Sequence, residues 1–580
     1  MDIKKELAKY IIDNNLSAFN LYKTPIKSDE ESIFKTRDGK TVHNKVLSKI
    51  SNNFCFSDSS NLLNFFDFND DFEKIKERQG FFSTIPKGLK NDFLKELKKP
   101  RASWKPRYGI VAVTDNEETF KEMKNLDIPV KFLLNEDDVL DLQNYEIVEA
   151  VLIENFTIAL EQLPQSVFID SIDDVYLERY LERLSGWIEN FRILELIEDD
   201  EIRSIVFELK PLLYLIDNVK KEKINRKELE DALDTVNEEI SDRLKNMNIS
   251  GSSLFEMLSK KKLPEEIEKI IDDSIKQSSL SYDILEIGIP VRIDEQELEN
   301  HMKMQDTNEN TDFAEKIKKS SAILKKVPEK LERLNELLLI YDFIAGISKF
   351  CLDKEFFPEL SSEIRIVKAK NIFLDDPQEI SFYLNELERC SILTGANSGG
   401  KTTLIEHLLQ LITMFYIGLP VRGLVKMPIF SEVYYFAKNK GNANKGAFET
   451  LLSQMSKIKT GRQTLIVADE IESVTEPGVA GKIIAATCEY FIDRNCFLVI
   501  ATHLGQEIIK VQPKNSRIDG ISATGLDDNN ELIVDHNPVF GKLANSTPEL
   551  IVEKMARSGE HDYFIFLNEF LKKNRNSDFL

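Results

Sequence analysis

The chain has 580 residues, 42% hydrophobic and 30% charged, and is therefore long enough to bury several hydrophobic cores. Its five cysteines include no CxxC pair, which argues against a zinc site and against a disulfide framework. The formal net charge of −23 argues against binding nucleic acid by overall attraction, but a basic groove on an acidic body is compatible with it. The chain has no apolar leader and no bilayer-length apolar run, so we expect a cytoplasmic protein without a membrane partner.

Residues 1–106 predict a mostly helical core segment with polar connectors. A basic cluster that surrounds Trp104 lies near its end. The cluster comprises Lys87, Lys90, Lys95, Lys98, Lys99, Arg101, Lys105 and Arg107. Basic side chains beside a stacking aromatic suit contacts with nucleic acid, and they are equally compatible with a solvated helix face.

Residues 107–135 predict a small α/β insert. Two apolar strands, at 108–114 and 128–134, flank a helix at 117–125. The insert has no glycine pattern that would bind phosphate, so we assign it no chemistry.

Residues 136–360 predict long amphipathic helices. Apolar side chains recur at three- and four-residue steps in three stripes. The first stripe comprises Leu229, Leu233, Val236, Ile240, Leu244 and Met247. The second comprises Ile267, Ile270, Ile271 and Ile275, and the third comprises Ile317, Leu324, Val327, Leu331 and Leu334. This pattern fits either an ordinary helical bundle or a lever of long helices. Candidate phosphate contacts in this region, which are also compatible with a solvated face, are Lys316, Lys318, Lys319, Lys325 and Lys326.

A glycine-rich turn joins an apolar strand at 390–394 to an apolar helix at 404–409. It has the spacing G, four residues, G-K-T, and consists of Gly395, Ala396, Asn397, Ser398, Gly399, Gly400, Lys401 and Thr402, followed by Thr403. Glycines allow backbone N–H groups to surround a phosphate, and the helix N-terminus adds partial positive charge. We therefore expect ATP here, with Lys401 on the β- and γ-phosphates and Thr402 coordinating Mg²⁺.

Three polar residues follow two further apolar strands. Asp469 and Glu470 end the strand at 464–469, and His503 follows the strand at 496–501. Each residue alone has an ordinary structural explanation. Because ligands bind at the carboxyl ends of parallel strands, together they predict a Mg²⁺ ligand in Asp469 and catalytic roles for Glu470 and His503.

These motifs resemble the ATPase domain of MutS proteins, a branch of the ABC-type ATPases. The likeness rests on the double glycine before Lys401, on Asn397, and on residues 473–478, which are similar to the D-loop that couples two ATPase heads. The resemblance implies an ATPase domain over 361–545 with an aromatic side chain against adenine, for which Phe373 is the candidate. A core position for Phe373 is an equally good explanation.

The resemblance also concerns the segment after Lys445. Gly446 stands where the family has a serine that reaches the partner's γ-phosphate. Thr450 or Ser453 are the candidates to replace that hydroxyl, and a weakened contact implies slow hydrolysis.

The fold that the resemblance implies is multidomain, α + α/β. A mostly helical core and lever would carry a DNA clamp at about 212–315, followed by a P-loop ABC-type ATPase domain and a helical dimerisation segment at 546–580. No Phe-x-Glu motif occurs in the first hundred residues, and little chain follows the ATPase motifs. The chain is therefore similar to a short, archaeal-type branch that lacks the mismatch-recognition and C-terminal nuclease domains.

The resemblance favours a homodimeric DNA-dependent ATPase whose ATP-driven closure holds double-stranded DNA, including branched DNA, mainly by its phosphates. Its place in DNA repair or recombination control rests on family analogy. Two alternatives stay open: a true mismatch-recognition factor, and a non-DNA mechanochemical ATPase of the ABC type, which the acidic charge favours.

Overall fold

The structure is a computed structural model that describes residues 3–20, 32–66, 71–106, 108–217, 226–245, 263–278, 280–299, 313–395, 400–438, 445–470, 477–521, 523–526, 532–544, 548–558 and 561–574. These residues form helices and sheets, and two of the sheets consist of parallel strands, which confirms the expected α + α/β class. No helix within these ranges is long and apolar enough to cross a membrane.

The helices and strands are given in chain order. The helices are α1 Ile3–Asp13, α2 Arg37–Ser51, α3 Phe72–Ser83, α4 Glu117–Asn125, α5 Glu136–Leu140, α6 Thr157–Glu161, α7 Glu178–Ser185, α8 Ile188–Leu194, α9 Asp200–Asp217, α10 Arg226–Lys245, α11 Glu265–Gln277, α12 Ser321–Leu324, α13 Val327–Phe350, α14 Lys401–Ile417, α15 Lys445–Met455, α16 Pro477–Ile492, α17 Gly505–Ile508, α18 Pro548–Ser558 and α19 Asp562–Asn574. The strands are β1 Ile110–Thr114, β2 Val130–Phe132, β3 Ile147–Val151, β4 Ser166–Ile169, β5 Leu285–Glu286, β6 Arg292–Ile293, β7 Glu359–Leu360, β8 Ile364–Ala369, β9 Ile380–Leu384, β10 Cys390–Gly395, β11 Leu424–Met427, β12 Glu432–Phe436, β13 Thr464–Asp469, β14 Phe497–Ala501, β15 Ser516–Ile521, β16 Ala523–Leu526 and β17 Leu532–Val534.

The chain divides into two compact units, Met1–Glu96 with Asn335–Leu580 and Leu97–Leu334. The N-terminal helices thus share a unit with the strands after 361, whereas we expected a separate core segment ending at 106. The physical reason is strand pairing beside Phe34, which is fully buried. Lys35 N donates to the carbonyl of Val433 at 2.9 Å, and Val433 N donates to that of Ile33 at 2.8 Å.

The first unit contains a parallel sheet in the order β12-β13-β14-β10-β15. Strands β13 and β14 are buried along their whole length, as expected for a parallel sheet covered on both faces. Ala501 on β14 pairs with Asp469 on one side and with Leu393 on the other. The register therefore brings the carboxyl ends of β10, β13 and β14 to one edge, directly beside one another.

A second, mixed sheet of the first unit has the order β7-β11-β8-β9. Strand β11 is parallel to β7 and antiparallel to β8, which is in turn antiparallel to β9. Ile380 at the start of β9 is buried.

The second unit contains a parallel sheet in the order β2-β1-β3-β4. Strand β3 pairs with β1, and β4 pairs with β3, so the sheet continues to Ile169. The boundary that we expected at 135 therefore falls inside this sheet. Strand β4 has only four residues, none of them fully buried, so its apolar run is shorter than the one by which β1 is recognised.

The predicted apolar stripes of the second unit lie in its core. Val236 and Ile240 on α10 form one buried cluster with Ile267, Ile271 and Ile275 on α11. The end of the first stripe, Met247, lies outside the described residues. The cluster also includes residues of the β5–β6 hairpin, in the region where we expected the clamp.

Several of the predicted nucleic-acid contacts also have protein partners. The ring of Trp104 lies 6.0 Å from that of Phe313 and is half-buried. Lys319 lies 3.1 Å from Glu315, and Lys325 lies 2.6 Å from Asp174.

Candidate functional site

The glycine-rich segment leaves the sheet at the end of β10 and enters α14. Gly395 has φ 139° and Gly400 has φ 88°, backbone conformations that favour glycine. Gly400 is the N-cap of α14, so Lys401 and Thr402 form its first turn. The predicted residues between the two glycines, which are Ala396, Asn397, Ser398 and Gly399, lie outside the described residues.

Lys401 is almost completely buried, with 2% of its surface exposed. Its Nζ donates to the carbonyl oxygen of Gly395 at 2.6 Å and lies 3.7 Å from Oε1 of Glu470. A buried ammonium group requires such partners, because an unpaired buried charge is strongly unfavourable. The contacts hold this cation between the glycine-rich segment and the end of β13.

Thr402 and Asp469 are also brought together, as a hydroxyl–carboxylate pair. Thr402 Oγ1 donates to Asp469 Oδ2 at 2.6 Å, and Asp469 Oδ1 is buried without a hydrogen-bond partner among the described residues. Burial raises the pKa of Asp469, and the hydrogen bond from Thr402 opposes that shift. A buried oxygen that lacks a partner beside a hydroxyl fits Mg²⁺, which prefers oxygen ligands.

No group of three or more His, Cys, Asp or Glu side chains in the described ranges could hold a metal ion. A magnesium ion at Thr402 and Asp469 would therefore need further oxygen ligands. Phosphate oxygens and water are the usual ones where Mg²⁺ binds through one or two protein groups.

Glu470 follows β13 and has φ 48°, an uncommon backbone conformation for a non-glycine residue. Its backbone N donates to the carbonyl of Ala501 at 2.9 Å, which fixes the residue beside β14. Oε1 lies 2.7 Å from Nε2 of His503, and Oε2 forms an ion pair with Lys438.

The surrounding cations determine the charge of Glu470. Burial acts to raise its pKa, but the hydrogen bond from Lys438 and the charges of His503, Lys438 and Lys401 outweigh burial, and the pKa is lowered. The carboxylate is therefore ionised at neutral pH. Lys438 was not foreseen from the sequence, although a signal existed: it follows β12, whose carboxyl end lies at the same edge of the sheet.

A cavity of about 410 Å³ lies beside the first turns of α14. Its lining residues are Asn371, Leu374, Gln378, Ile380, Gly400, Thr402, Thr403, Leu404, His407 and His536. This volume is within the range of small-molecule sites. The cavity reaches from the expected phosphate-binding turn to residues well separated from it in sequence.

Phe373, our candidate for the adenine contact, is not among the residues that line this cavity. Its backbone N instead donates to Oδ1 of Asn371 at 2.8 Å. The lining side chains from this loop are Asn371 and Leu374. His407 and His536 also line the cavity, and no motif in the sequence indicated either of them.

The segments expected to contact a partner subunit are only partly described. Gly446 lies on α15, and Thr450 and Ser453 lie on the exposed face of that helix. Of the expected D-loop, residues 473–478, the first four lie outside the described residues. The roles of both segments stay predictions.

No family model matches the chain, but comparison with known proteins finds relatives that are named MutS2 or MutS. The chain is 29% identical over 575 residues to DNA-binding protein MutS2 of Pyrococcus furiosus, covering 93% of this chain and 99% of that protein. It is 25% identical over 251 residues to DNA mismatch repair protein MutS of Thermotoga petrophila, covering 42% of this chain and 31% of that protein. The chain is therefore similar to MutS and MutS2 proteins, over nearly its whole length in the case of the Pyrococcus protein.

A further MutS-family relative is Endonuclease MutS2 of Borreliella burgdorferi. It is 29% identical over 181 residues, covering 30% of this chain and 23% of that protein. The chain thus spans nearly all of the Pyrococcus protein but less than a third of the other two. The mismatch-repair and endonuclease names therefore describe those relatives.

Proposed function

We propose that this MutS-like chain binds ATP with Mg²⁺, hydrolyses it, and as a homodimer binds double-stranded DNA with little sequence specificity. The observation that supports the ATPase best is the assembly at the carboxyl ends of β10, β13 and β14. There a Thr402–Asp469 pair with one unpartnered carboxylate oxygen lies beside an ionised Glu470.

In this proposal the protein groups have separate tasks. Lys401 and the backbone N–H groups at the start of α14 bind the phosphates. Thr402 and Asp469 hold Mg²⁺, which neutralises phosphate charge and orients the phosphates. Lys401 now bonds the Gly395 carbonyl and Glu470, and bound phosphates would compete for its ammonium group.

Glu470 is the proposed group that orients and polarises the attacking water. A carboxylate with a lowered pKa is present as the base at neutral pH, and His503 and Lys438 restrict its orientation. His503 is the second proposed catalytic residue, placed to contact the γ-phosphate or the water. The structure supports this through the 2.7 Å contact between His503 Nε2 and Glu470 Oε1.

The proposal of DNA binding is supported by the similarity to a relative named a DNA-binding protein, which extends over 93% of this chain. Phosphate contacts would dominate, and binding would therefore weaken steeply with salt. Four of the candidate lysines near residue 320 are exposed, namely Lys316, Lys318, Lys319 and Lys326. Lys319 also pairs with Glu315, and the half-buried Lys325 pairs with Asp174. A role in DNA repair or recombination control follows from the family alone.

The proposed homodimer is supported by the C-terminal helix α19. Tyr563, Phe566 and Phe570 follow one another at three- and four-residue steps and are 64%, 65% and 55% exposed. An exposed aromatic face of this kind marks an interaction surface. Family resemblance assigns that surface to a second copy.

The first test compares the wild-type protein with Lys401→Ala in an ATP-binding assay and a phosphate-release assay. ATP binding and phosphate release are expected for the wild type and are expected to be lost in the variant, because the variant lacks the ammonium group that meets the phosphates. Normal ATP binding by Lys401→Ala would contradict the assignment.

The second test is a gel shift of the wild-type protein with perfect duplex, single-mismatch duplex and four-way junction at several salt concentrations, with and without ATP. Salt-sensitive binding to all of them is expected of a non-specific clamp. Selective retention of the mismatch would favour a mismatch-recognition factor. No binding at low salt would favour the non-DNA ATPase.

A further inference from the structure

His407 combines deep burial with an unpartnered nitrogen. Its side chain is 2% exposed, and Nε2 makes no hydrogen bond within the described part of the chain. Most buried polar atoms in proteins are paired, so an exception requires an explanation. His407 lies one helical turn after Thr403 on α14, and both residues line the cavity beside the glycine-rich segment.

The protonation state of His407 follows from its surroundings. Burial lowers its pKa to about 4, and a hydrogen bond with the backbone of Lys370 acts in the opposite direction, as a bond from ring N–H to a carbonyl does. The ring is therefore neutral at physiological pH. Because Nε2 is the nitrogen without a partner, the N–H belongs to Nδ1, and Nε2 is a hydrogen-bond acceptor.

The other amide groups of the cavity wall already have partners. Asn371 Oδ1 accepts from Phe373 N at 2.8 Å and from Gln410 Nε2 at 2.9 Å. Gln378 Oε1 accepts from His536 N at 3.0 Å, and Gln378 Nε2 donates to Asp535 at 2.8 Å.

The remaining wall combines the apolar side chains of Leu374, Ile380 and Leu404 with Thr402, Thr403 and His536. His407 adds an acceptor nitrogen to this wall, one helical turn beyond Thr403. Such a wall suits a flat heterocycle that presents a hydrogen-bond donor.

We propose that His407 is a specificity-determining residue that accepts a hydrogen bond from the 6-amino group of adenine. This inference rests on the proposed function, because it places the base of the nucleotide in this cavity. Guanine and hypoxanthine carry an acceptor oxygen at position 6, which would face the lone pair of Nε2. Their nucleotides are therefore expected to bind more weakly, because the oxygen at position 6 and Nε2 of His407 would both be acceptors without a donor.

The test measures equilibrium binding by calorimetry with Mg²⁺ and three nucleotides: ATP, purine riboside triphosphate, which lacks the 6-amino group, and inosine triphosphate. The wild type is expected to bind ATP about tenfold more tightly than either analogue, as the loss of one buried hydrogen bond predicts. His407→Leu is expected to bind ATP and purine riboside triphosphate equally. His407→Gln is expected to bind inosine triphosphate more tightly than the wild type does, because its amide N–H can donate to the oxygen at position 6. Such a gain of binding cannot result from unfolding of the variant.

The matched control is His43→Gln. His43 is also buried, and burial also lowers its pKa to about 4. Its Nδ1 lies 3.4 Å from Oγ1 of Thr413, which is on α14, the helix of His407. It does not line the cavity, so the preference for ATP is expected to stay unchanged.

The outcomes separate the two proposals. If the wild type binds no nucleotide, the proposed function fails as well. If it binds ATP and His407→Leu keeps the wild-type preference over purine riboside triphosphate, only base reading by His407 is overturned. 2′-Deoxy-ATP is titrated as a fourth nucleotide. If His407→Leu no longer discriminates between ATP and 2′-deoxy-ATP but still discriminates between the bases, His407 contacts the ribose, and base reading is likewise overturned.

Discussion

Glu470 combines an unusual backbone conformation with two lysines and a histidine as neighbours. Its φ of 48° is uncommon for a residue with a side chain, and such outliers persist only where the surrounding structure imposes them. Lys401, Lys438 and His503 all contact its carboxylate. The cations keep the group ionised, whereas burial alone would favour its protonated form.

Replacing Glu470 by Gln tests the proposed catalytic role. The variant retains the size of the side chain but not the carboxylate, so ATP binding is expected to persist while hydrolysis falls by about 10²- to 10⁴-fold. The measurements are equilibrium binding of ATP and single-turnover phosphate release. Glu386→Gln, at an exposed carboxylate of the same unit, serves as the control. Turnover by Glu470→Gln near the wild-type rate would exclude Glu470 as the base.

At the scale of the element, Asp342 connects helix α13 to the N-terminal part of the first unit. Its buried carboxylate accepts hydrogen bonds from Cys55 N at 2.9 Å, Phe56 N at 2.9 Å, Ser59 Oγ at 2.7 Å and Asn91 Nδ2 at 2.8 Å. Burial raises its pKa, and these donors act against that shift. One side chain thus satisfies donors from two separate stretches of the chain.

Asp342→Ala is expected to lower the free energy of unfolding of the first unit by about 3 kcal/mol or more, since several buried donors lose their acceptor. Urea denaturation measures this change. Asp242→Ala removes a largely exposed carboxylate that pairs with Lys245 and is expected to change stability by less than about 0.5 kcal/mol. Equal effects of the two substitutions would show that the buried hydrogen bonds contribute little.

The second unit has a pH-sensitive element in β3. Glu149 is buried, its Oε2 accepts from Tyr176 N at 2.7 Å, and burial together with the charge of Glu178 raises its pKa from 4.5 to about 8. The folded state therefore binds more protons than the unfolded state between these two values. The stability that this proton contributes is complete below about pH 4.5 and is lost as the pH rises through about 8.

We expect the wild type to lose stability between pH 5 and pH 8, and Glu149→Gln to lose less. The difference in slope is at most about 1.4 kcal/mol per pH unit, the value for one proton. Urea unfolding at a series of pH values measures it, and Glu161→Gln, at an exposed position on α6, is the control. Parallel pH profiles for the wild type and Glu149→Gln would contradict the buried protonated state.

At the scale of the whole molecule, the proposed association of two chains can be tested at helix α19. Phe566→Glu places a charge in the aromatic face of α19 and is expected to shift the protein toward monomer, because burying an unpaired charge is unfavourable. Sedimentation velocity at several protein concentrations, with and without ATP, measures the shift. Leu387→Glu, at a position that is 77% exposed elsewhere in the same unit, is expected to leave association unchanged. A wild type that is monomeric under all conditions would contradict the proposed homodimer.

Local patterns in the sequence were sufficient for the α + α/β class, the strands that end in Gly395 and Asp469, and the apolar stripes of α10 and α11. Each depends on residues that are near one another in the chain, where periodicity and glycine conformation determine the backbone. Likewise, Asp469, Glu470 and His503 were predicted because each follows an apolar strand, and such strands end at a common edge.

Only the tertiary structure decided which distant side chains meet. It brought Lys438 to Glu470, placed His407 and His536 rather than Phe373 around the cavity, joined Phe34 to β12, and extended the second unit's sheet to β4. These neighbours depend on strand order and helix packing between segments that are remote in sequence. No local spacing encodes such contacts, because they arise only when the separate elements bury their apolar faces together.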